Sequence, residues 1–210
     1  MNDTKAEAIK NTTCRYCKSS ELEMFFSLGD QPPSNSFIKS ENLHLEQKYP
    51  LDLYFCKNCY LVQLTDVVPA TSIFDEYLYL SSASKALRNH FKDLVGYVSE
   101  RFHLNKEDVV VDVGCNDGIL LNEYSDGEIV RIGVEPSKVA EIARKSGLIV
   151  IEDFFTRDVA RNICNKYGHP KIITATNVFV HVDNMDEFIG SFEVLLEDEG
   201  VLIIEASYLI

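Results

Sequence analysis

The chain has 210 residues, with 20 Lys and Arg against 33 Asp and Glu, which gives a formal net charge of -13. This acidity argues against non-specific nucleic-acid binding, which needs basic side chains to displace counterions from phosphates. With 46% hydrophobic and 25% charged residues, the composition is that of a globular protein with a sizeable core. No run approaches the roughly 18 apolar residues of a membrane span, and the N-terminus lacks the apolar segment of a signal peptide. We therefore expect a cytoplasmic protein with neither nucleic acid nor a membrane as its partner.

Four of the six cysteines form two Cys-x-x-Cys pairs, Cys14 with Cys17 and Cys56 with Cys59. Zinc prefers four tetrahedral ligands, and two intervening residues let one tight turn direct two thiolates at one ion. Short apolar runs at 22–28, 51–55 and 60–64 predict strands of hairpins beside these turns, and two prolines predict an irregular loop over 28–37. Four free buried cysteines or a redox pair are the alternatives. The coincidence of two pairs favours a structural zinc site with these four ligands.

The remainder of the chain alternates helical and strand patterns. Helical spacing predicts an amphipathic helix over 82–102, and helices over 118–125, 137–146, 156–167 and 184–197 separate strands at 109–113, 130–134, 148–151, 171–175 and 201–204. Strands this apolar are typical of a sheet covered on both faces. The predicted fold is α/β, a doubly wound, mostly parallel, Rossmann-like sheet of about five strands after a small four-cysteine zinc β module. The predicted domains are a zinc module at 1–68, a connecting segment and helix at 69–104, and the Rossmann-like domain at 105–210.

Ligands of such sheets bind at the carboxyl ends of the strands, and the first such loop runs from Asp112 to Gly118. Gly114 and Gly118 let the backbone turn sharply and approach a ligand, with Asn116 and Asp117 between them. A dinucleotide fingerprint needs glycine where Asn116 and Ile119 stand, which weakens that alternative. A smaller ligand with an amine for Asp112 and a carboxylate for the loop backbone fits better. The methionine part of S-adenosylmethionine has these groups.

The next two strand ends add acidic side chains. Glu135, followed by Pro136 and Ser137 at a helix start, can accept hydrogen bonds from both ribose hydroxyls. Asp153 can accept from an adenine amino group while the ring of Phe154 packs on the base. An isolated acidic residue at a strand end is more often a solvated residue or a helix cap, so it is the order and spacing of these residues that favour a nucleoside ligand.

Together these segments resemble the class I S-adenosylmethionine-dependent methyltransferases, and more narrowly the zinc-containing C-methyltransferases of nucleotide-linked 4-keto-deoxysugars such as TDP-ketosugars. The resemblance rests on the cysteine pairs, the Leu28–Phe37 loop, and the segments at 77–82, 111–120, 133–137, 153–155 and 177–181. It implies S-adenosylmethionine and structural Zn²⁺ as cofactors and a nucleotide-linked deoxysugar as substrate. It also implies that Tyr77 and Ser82 lie near the cofactor, and Tyr79 and Asn35 near the substrate.

The implied reaction needs a base that removes a proton beside the 4-keto group before methyl transfer. His181, after the fourth strand, is either that base or enolate partner or a loop histidine that only packs, and the two alternatives weigh evenly. Asn177 on the same loop binds the cofactor or orients the sugar. Arg88 and Lys85 are the nearest cations for substrate phosphates, although such residues on an amphipathic helix are usually only solvated.

Members of the family continue past strand five into a Tyr-x-Glu-His segment that is thought to supply the base, and this chain ends at Ile210. The expectation is therefore a C-terminally truncated or split protein, with an apolar edge at Val201–Ile204 that a second polypeptide can complete. Three hypotheses follow: a sugar C-methyltransferase, an inactive remnant that binds only zinc and cofactor, or an interaction protein whose sheet is structural.

Overall fold

A computed structural model of the protein describes residues 8–35, 37–70, 73, 79–124 and 129–207. The chain divides into two compact units, Met1–Leu78 and Tyr79–Ile210. No helix among the described residues is long and apolar enough to cross a membrane.

The described residues of the first unit include short antiparallel strands and a 3-10 turn at Ser40–Leu45. Its strands are β1 (Ile9–Lys10), β2 (Leu22–Gln31), β3 (Tyr49–Cys56), β4 (Val62–Leu64) and β5 (Asp66–Val67). β2, β3 and β4 form one sheet in that order, and β1 pairs with β5. β2 is longer than predicted, because two register shifts let it stay paired with β3 as far as Gln31. The irregular loop therefore begins at Pro32, where the missing N–H ends the pairing.

The second unit is a five-stranded parallel sheet flanked by helices. Its helices are α1 (Lys85–Arg101), α2 (Ala140–Lys145), α3 (Arg157–Tyr167) and α4 (Met185–Leu195). Its strands are β6 (Val109–Val113), β7 (Val130–Val134), β8 (Ile149–Ile151), β9 (Ile172–Thr176) and β10 (Val201–Glu205). The strand order is β10-β9-β6-β7-β8, and every neighbouring pair is parallel. This order confirms the predicted doubly wound α/β fold.

Alternation along β6 explains why both faces of the sheet are covered. Val109, Val111 and Val113 pack into one buried cluster with residues of α3 and α4, whereas Val110 packs into a second cluster with residues of α1 and α2. Three helices begin at a side-chain cap, where Ser84, Thr156 and Asn184 each accept a hydrogen bond from the backbone N–H three residues later.

The helix predicted over 118–125 is wrong within the described residues, where a 3-10 turn at Leu121–Glu123 takes its place. Gly118 has a φ of 80°, which a right-handed helix does not allow. Leu120 and Leu121 are nevertheless buried, so the segment still contributes to the core. The apolar spacing that suggested a helix therefore came from a compact turn packed on the sheet.

β10 pairs only with β9 among the described residues, and Ile204 on it is 45% exposed. The predicted apolar strand over 201–204 thus lies at an edge of the sheet. Its carboxyl end is Glu205, which pairs with Thr176 at the carboxyl end of β9.

Candidate metal centre and cofactor site

The two cysteine pairs of the first unit form two turns with the same backbone hydrogen bonds. In the first turn, the N–H of Lys18 donates to the carbonyl of Cys14 (3.0 Å), and Cys14 N–H donates to Ser19 (2.8 Å). In the second, Tyr60 donates to Cys56 (2.8 Å) and Cys56 to Leu61 (2.9 Å). Lys18 and Tyr60 both have positive φ, at 61° and 66°. Each turn therefore reverses tightly after its second cysteine.

These turns bring the four sulfur atoms together. All four Sγ atoms lie within 4.8 Å of one another, with 3.6 Å between Cys14 and Cys59 and 3.5 Å between Cys17 and Cys56. A tetrahedral ion with Zn–S bonds of about 2.3 Å sets sulfur–sulfur edges of about 3.8 Å, so the spacing fits zinc without disulfides. Hydrogen bonds lower the pKa of Cys17 to about 6, whereas desolvation and the neighbouring thiols raise the pKa of Cys59 to about 12, so the four thiols do not all ionise together unless a cation is bound.

In the second unit, the loop after β6 is folded tightly against β7. The N–H groups of Gly114 and Cys115 both donate to the carbonyl of Val134, at 2.8 and 3.2 Å. Gly114 has a φ of 74°, and a Cβ there would lie 2.3 Å from Cγ2 of Val178. A side chain at this position would therefore strain the backbone and collide with the loop after β9. The close approach seen at Gly114 is to Val178, and the approach to a ligand that the sequence predicts there stays a prediction.

Asn116 and Asp117 use their side chains to hold the segment that precedes α1. The Asn116 amide accepts from Ser81 N–H (2.9 Å) and donates to the carbonyl of Tyr79 (3.1 Å). Asp117 Oδ2 accepts from Ser82 N–H (3.1 Å). The sequence singled out both residues for the cofactor, and their hydrogen bonds also fix Tyr79 and Ser82 beside the loop. No local pattern could reveal contacts across 35 residues.

Three acidic side chains are buried around this loop: Asp112, Asp117 and Glu135. Asp117 Oδ1 is buried and has no hydrogen-bond partner. Burial raises the pKa of Asp112 to about 7, although the Thr174 hydroxyl donates to its Oδ1 at 2.6 Å. Buried carboxyl groups normally have partners, so the arrangement suits a ligand that brings donors or positive charge.

Glu135, at the carboxyl end of β7, is held by backbone groups on both sides. Its Oε2 accepts from Asn116 N–H (3.0 Å) and its Oε1 from Ser137 N–H (2.9 Å). Each carboxylate oxygen keeps further acceptor capacity for hydroxyl groups. Pro136 and Ser137 follow it at the start of the segment that leads into α2.

Asp153 and Phe154 follow β8 at the same edge of the sheet. Asp153 is exposed and its Oδ1 accepts from Phe154 N–H (2.7 Å), while the Phe154 ring is 38% exposed. Phe155, by contrast, is buried against Phe188 and Phe192 of α4. The side chains of Asp153 and Phe154 are thus accessible at this strand end, and their contact with adenine stays a prediction.

The loop after β9 carries Asn177 and His181. Asn177 has a φ of 56°, and its N–H donates to the carbonyl of Glu205 at 2.7 Å. His181 closes a 3-10 turn at Phe179–His181; its side chain is solvent-accessible, and desolvation by the neighbouring atoms lowers its pKa from the ordinary histidine value. The imidazole is therefore neutral near neutral pH and able to accept a proton. Both alternatives for His181, a base or enolate partner and a loop histidine that only packs, are compatible with this environment, and its catalytic role stays a prediction.

Glu205 and His90 lie beside Asn177, and the sequence analysis assigned a role to neither. Glu205 Oε2 lies 2.5 Å from His90 Nε2, and Glu205 Oε1 accepts from Asn177 Nδ2 at 3.4 Å. Glu205 could have been predicted as a site residue because it ends a strand. His90 gave no such signal, because it is one of many polar residues on the exposed face of α1. Arg88, the expected phosphate-binding cation, directs its guanidinium to the carbonyl of Ser82.

Two residues that the sequence predicts near the ligands do not belong to the second unit. Asn35 lies in the first unit, in the loop after β2, with a φ of 62°, and its substrate role stays a prediction. Tyr77 lies outside the described residues.

Comparison with known proteins matches both units. A family model described as a methyltransferase domain matches residues 83–207, and another described as a zinc binding domain matches residues 14–74. The C-methyltransferase NovU of Streptomyces niveus is 27% identical over 199 residues, which are 94% of this chain and 47% of that protein. The chain thus spans about half the length of this curated relative.

Solved structures resemble the chain more weakly. Coclaurine N-methyltransferase, crystallised with N-methylheliamine and SAH, is 16% identical, with a TM-score of 0.44 over 57% of this chain and 36% of that one. A S-adenosylmethionine-dependent methyltransferase from Clostridium acetobutylicum is 18% identical, with a TM-score of 0.43 over 56% of this chain and 49% of that one.

Proposed function

The chain belongs to the methyltransferase family, and we propose that it binds S-adenosylmethionine and methylates a carbon of a nucleotide-linked 4-keto-deoxysugar. The observation that carries the proposal is the set of buried carboxyl groups around the loop after β6, including the unpartnered Asp117 Oδ1. S-adenosylmethionine has an amine and a sulfonium that suit such a site. The name of the NovU relative supports carbon as the methyl acceptor.

Each part of the cofactor has candidate residues. Asp112 and Asp117 take the amine, and the backbone between Gly114 and Gly118 takes the carboxylate. Glu135 accepts from the ribose hydroxyls while Pro136 and Ser137 shape the loop behind it. The carboxylate of Asp153 accepts a hydrogen bond from the adenine amino group, and the ring of Phe154 packs on the base. The remaining cofactor residues on the proposed site are Ser82, Asn116 and Asn177, with Tyr77 from outside the described residues.

When bound, S-adenosylmethionine supplies an electrophilic methyl group on a sulfonium. His181 is proposed to accept the proton from the carbon beside the 4-keto group, so that the C–H electron pair moves into the carbonyl as an enolate. Asp112, Asp117 and Glu135 would hold the cofactor so that its methyl group could be transferred to the enolate carbon, with the sulfur keeping the electron pair of the S–methyl bond. His181 afterwards returns its proton to water. Its lowered pKa keeps the imidazole neutral and ready for the first step.

The zinc centre has a separate role in this proposal. Four cysteine ligands saturate a tetrahedral ion and leave no position for water or substrate. Cys14, Cys17, Cys56 and Cys59 therefore hold a structural ion that stabilises the first unit, which also carries Asn35, the proposed contact to the sugar.

The proposal is tested by separating proton removal from methyl transfer. The full chain, loaded with zinc, is incubated in D₂O with a TDP-linked 4-keto-6-deoxyhexose, with and without S-adenosylmethionine. We expect deuterium to enter beside the ketone and one methyl group to be added when the cofactor is present, both detected by mass spectrometry. His181→Asn should lower both rates by about 100-fold or more, in the range for loss of a general base. His44→Gln, at an exposed position of the first unit, is the matched control.

Two results would contradict this function. If deuterium entered the sugar no faster with the wild-type chain than without protein, the chain would not catalyse enolisation. Saturable cofactor binding without transfer to any 4-keto sugar would favour the hypothesis of a binding-only protein.

A further inference from the structure

Glu205 connects three elements at the carboxyl edge of the second unit. It ends β10, its carbonyl accepts the N–H of Asn177 after β9 (2.7 Å), and its Oε2 lies 2.5 Å from Nε2 of His90 on α1. Its other carboxylate oxygen accepts from Asn177 Nδ2 (3.4 Å). We call Glu205, His90 and Asn177 the β10 cluster.

The β10 cluster lies on the same side of the sheet as the proposed cofactor site. Glu205 pairs with Thr176 at the ends of parallel strands, and the turn before α1 is held by Asn116 and Asp117. The N-terminal end of α1, which carries His90, therefore lies next to the loop after β6. His90 and Glu205 are thus close to the ligand edge, although neither is assigned to a ligand.

The turn at Asn177 has a left-handed backbone. Its φ is 56°, a conformation that asparagine adopts more readily than most residues with a Cβ, and both its N–H and its side-chain amide donate to Glu205. Asn177 is the first residue after β9, so its conformation sets the direction in which the loop leaves the strand. His181 follows four residues later on this loop, and its position therefore depends on that direction. The side chains of His90 and Glu205 are 45% and 36% exposed, yet they meet in one short contact across 115 residues.

We propose that His90 and Glu205 are positioning residues that fix the Asn177 turn and thereby place His181 against the substrate. The carboxylate orients the His90 imidazole and the Asn177 amide at the same time, which is the arrangement that holds catalytic loops in defined geometry. The inference rests on the proposed function for its catalytic consequence, but its structural part is independent of it.

The structural part is tested by amide hydrogen exchange. We expect His90→Gln and Glu205→Gln each to speed exchange of the Asn177 amide about fivefold or more, because local opening follows loss of the side-chain contacts. The Gly114 amide, which donates to Val134, serves as the internal reference and should not change. Glu141→Gln is the matched control, since Glu141 forms an exposed ion pair with Lys145 on α2. Unchanged Asn177 exchange in both variants would overturn the inference, whether or not the protein methylates sugars.

The catalytic part is tested by steady-state kinetics with S-adenosylmethionine and the TDP-linked 4-keto sugar. His90→Gln and Glu205→Gln should lower kcat about 10- to 100-fold, while the KM for S-adenosylmethionine stays within about twofold. The double variant should be no slower than the slower single variant, because both residues act through one contact. Faster exchange with an unchanged kcat would reduce the pair to a structural contact and overturn the positioning role. Failure of the wild-type chain to methylate would instead contradict the proposed function, and the exchange result would still decide the pairing.

Discussion

Substitution of Gly114 by alanine should destabilise the second unit strongly, because two separate costs coincide there. The positive φ of 74° costs about 1–2 kcal/mol for a residue with a Cβ. The new Cβ would also lie 2.3 Å from Val178 Cγ2, and overpacking of this kind costs about 1–3 kcal/mol. Together they predict a loss of about 2–5 kcal/mol in the free energy of unfolding.

Gly147→Ala is the matched control. Gly147 also has a positive φ, at 91°, but nothing lies within 4 Å of a Cβ built there. Its substitution should therefore cost only the backbone part, about 1–2 kcal/mol. Any gain from restricting the unfolded chain is the same for both glycines and cancels in the comparison.

The collision with Val178 can be isolated by a double-mutant cycle of Gly114→Ala and Val178→Ala. The coupling energy should be favourable by about 1–3 kcal/mol, the size of the overpacking cost. Hydrogen exchange of the buried β6 amides measures the free energy of unfolding of this unit, with zinc kept saturating. Equal losses for Gly114→Ala and Gly147→Ala, or a coupling energy of zero, would refute the close approach of the two loops.

The zinc and pH predictions concern the two units separately. Removal of zinc with a chelator should unfold the first unit, because metal binding and folding are coupled in such modules, and circular dichroism should show loss of the β signal together with release of one zinc per chain. Exchange protection that persists in β3 after zinc release would contradict this. Asp112 has a folded pKa of about 7, above its unfolded value, so its contribution to stability is fully present below about pH 4 and is lost as pH rises through 7. Asp112→Asn should therefore become more stable relative to the wild type from pH 4 to 7 in urea unfolding, and a constant difference would contradict the raised pKa.

The sequence predicted the sheet well because its signals are local. All five strands of the second unit lie within one or two residues of their predicted positions, since runs such as Val109–Val113 are buried on both faces. The zinc ligands could be predicted from the sequence equally well, because Cys-x-x-Cys turns are short and repeat the same geometry. The four Sγ atoms lie together as expected.

The features that were missed depend on contacts between distant residues. The bonds of Asn116 to Tyr79 and Ser81, and that of Glu205 to His90, join segments that no periodicity relates. The short turn at Leu121–Glu123 was predicted as part of a helix because its apolar spacing is the same in both conformations. The two conformations differ in backbone geometry, through the positive φ of Gly118 and the i to i+3 hydrogen bonds of Glu123 and Tyr124, which the apolar spacing does not report.

Calorimetric titration of the zinc-loaded chain with S-adenosylmethionine tests the central claim most directly, through the role of Glu135. The wild type should bind at one site, and Glu135→Gln should bind about tenfold or more weakly, because hydrogen bonds to a charged group contribute about 1.5–3 kcal/mol. Glu141→Gln should bind like the wild type, and a melting curve of each variant checks that the sheet stays folded. Absence of binding by the wild type, or equal affinities for the folded Glu135→Gln and Glu141→Gln variants, would contradict a cofactor site at the carboxyl ends of β6 and β7.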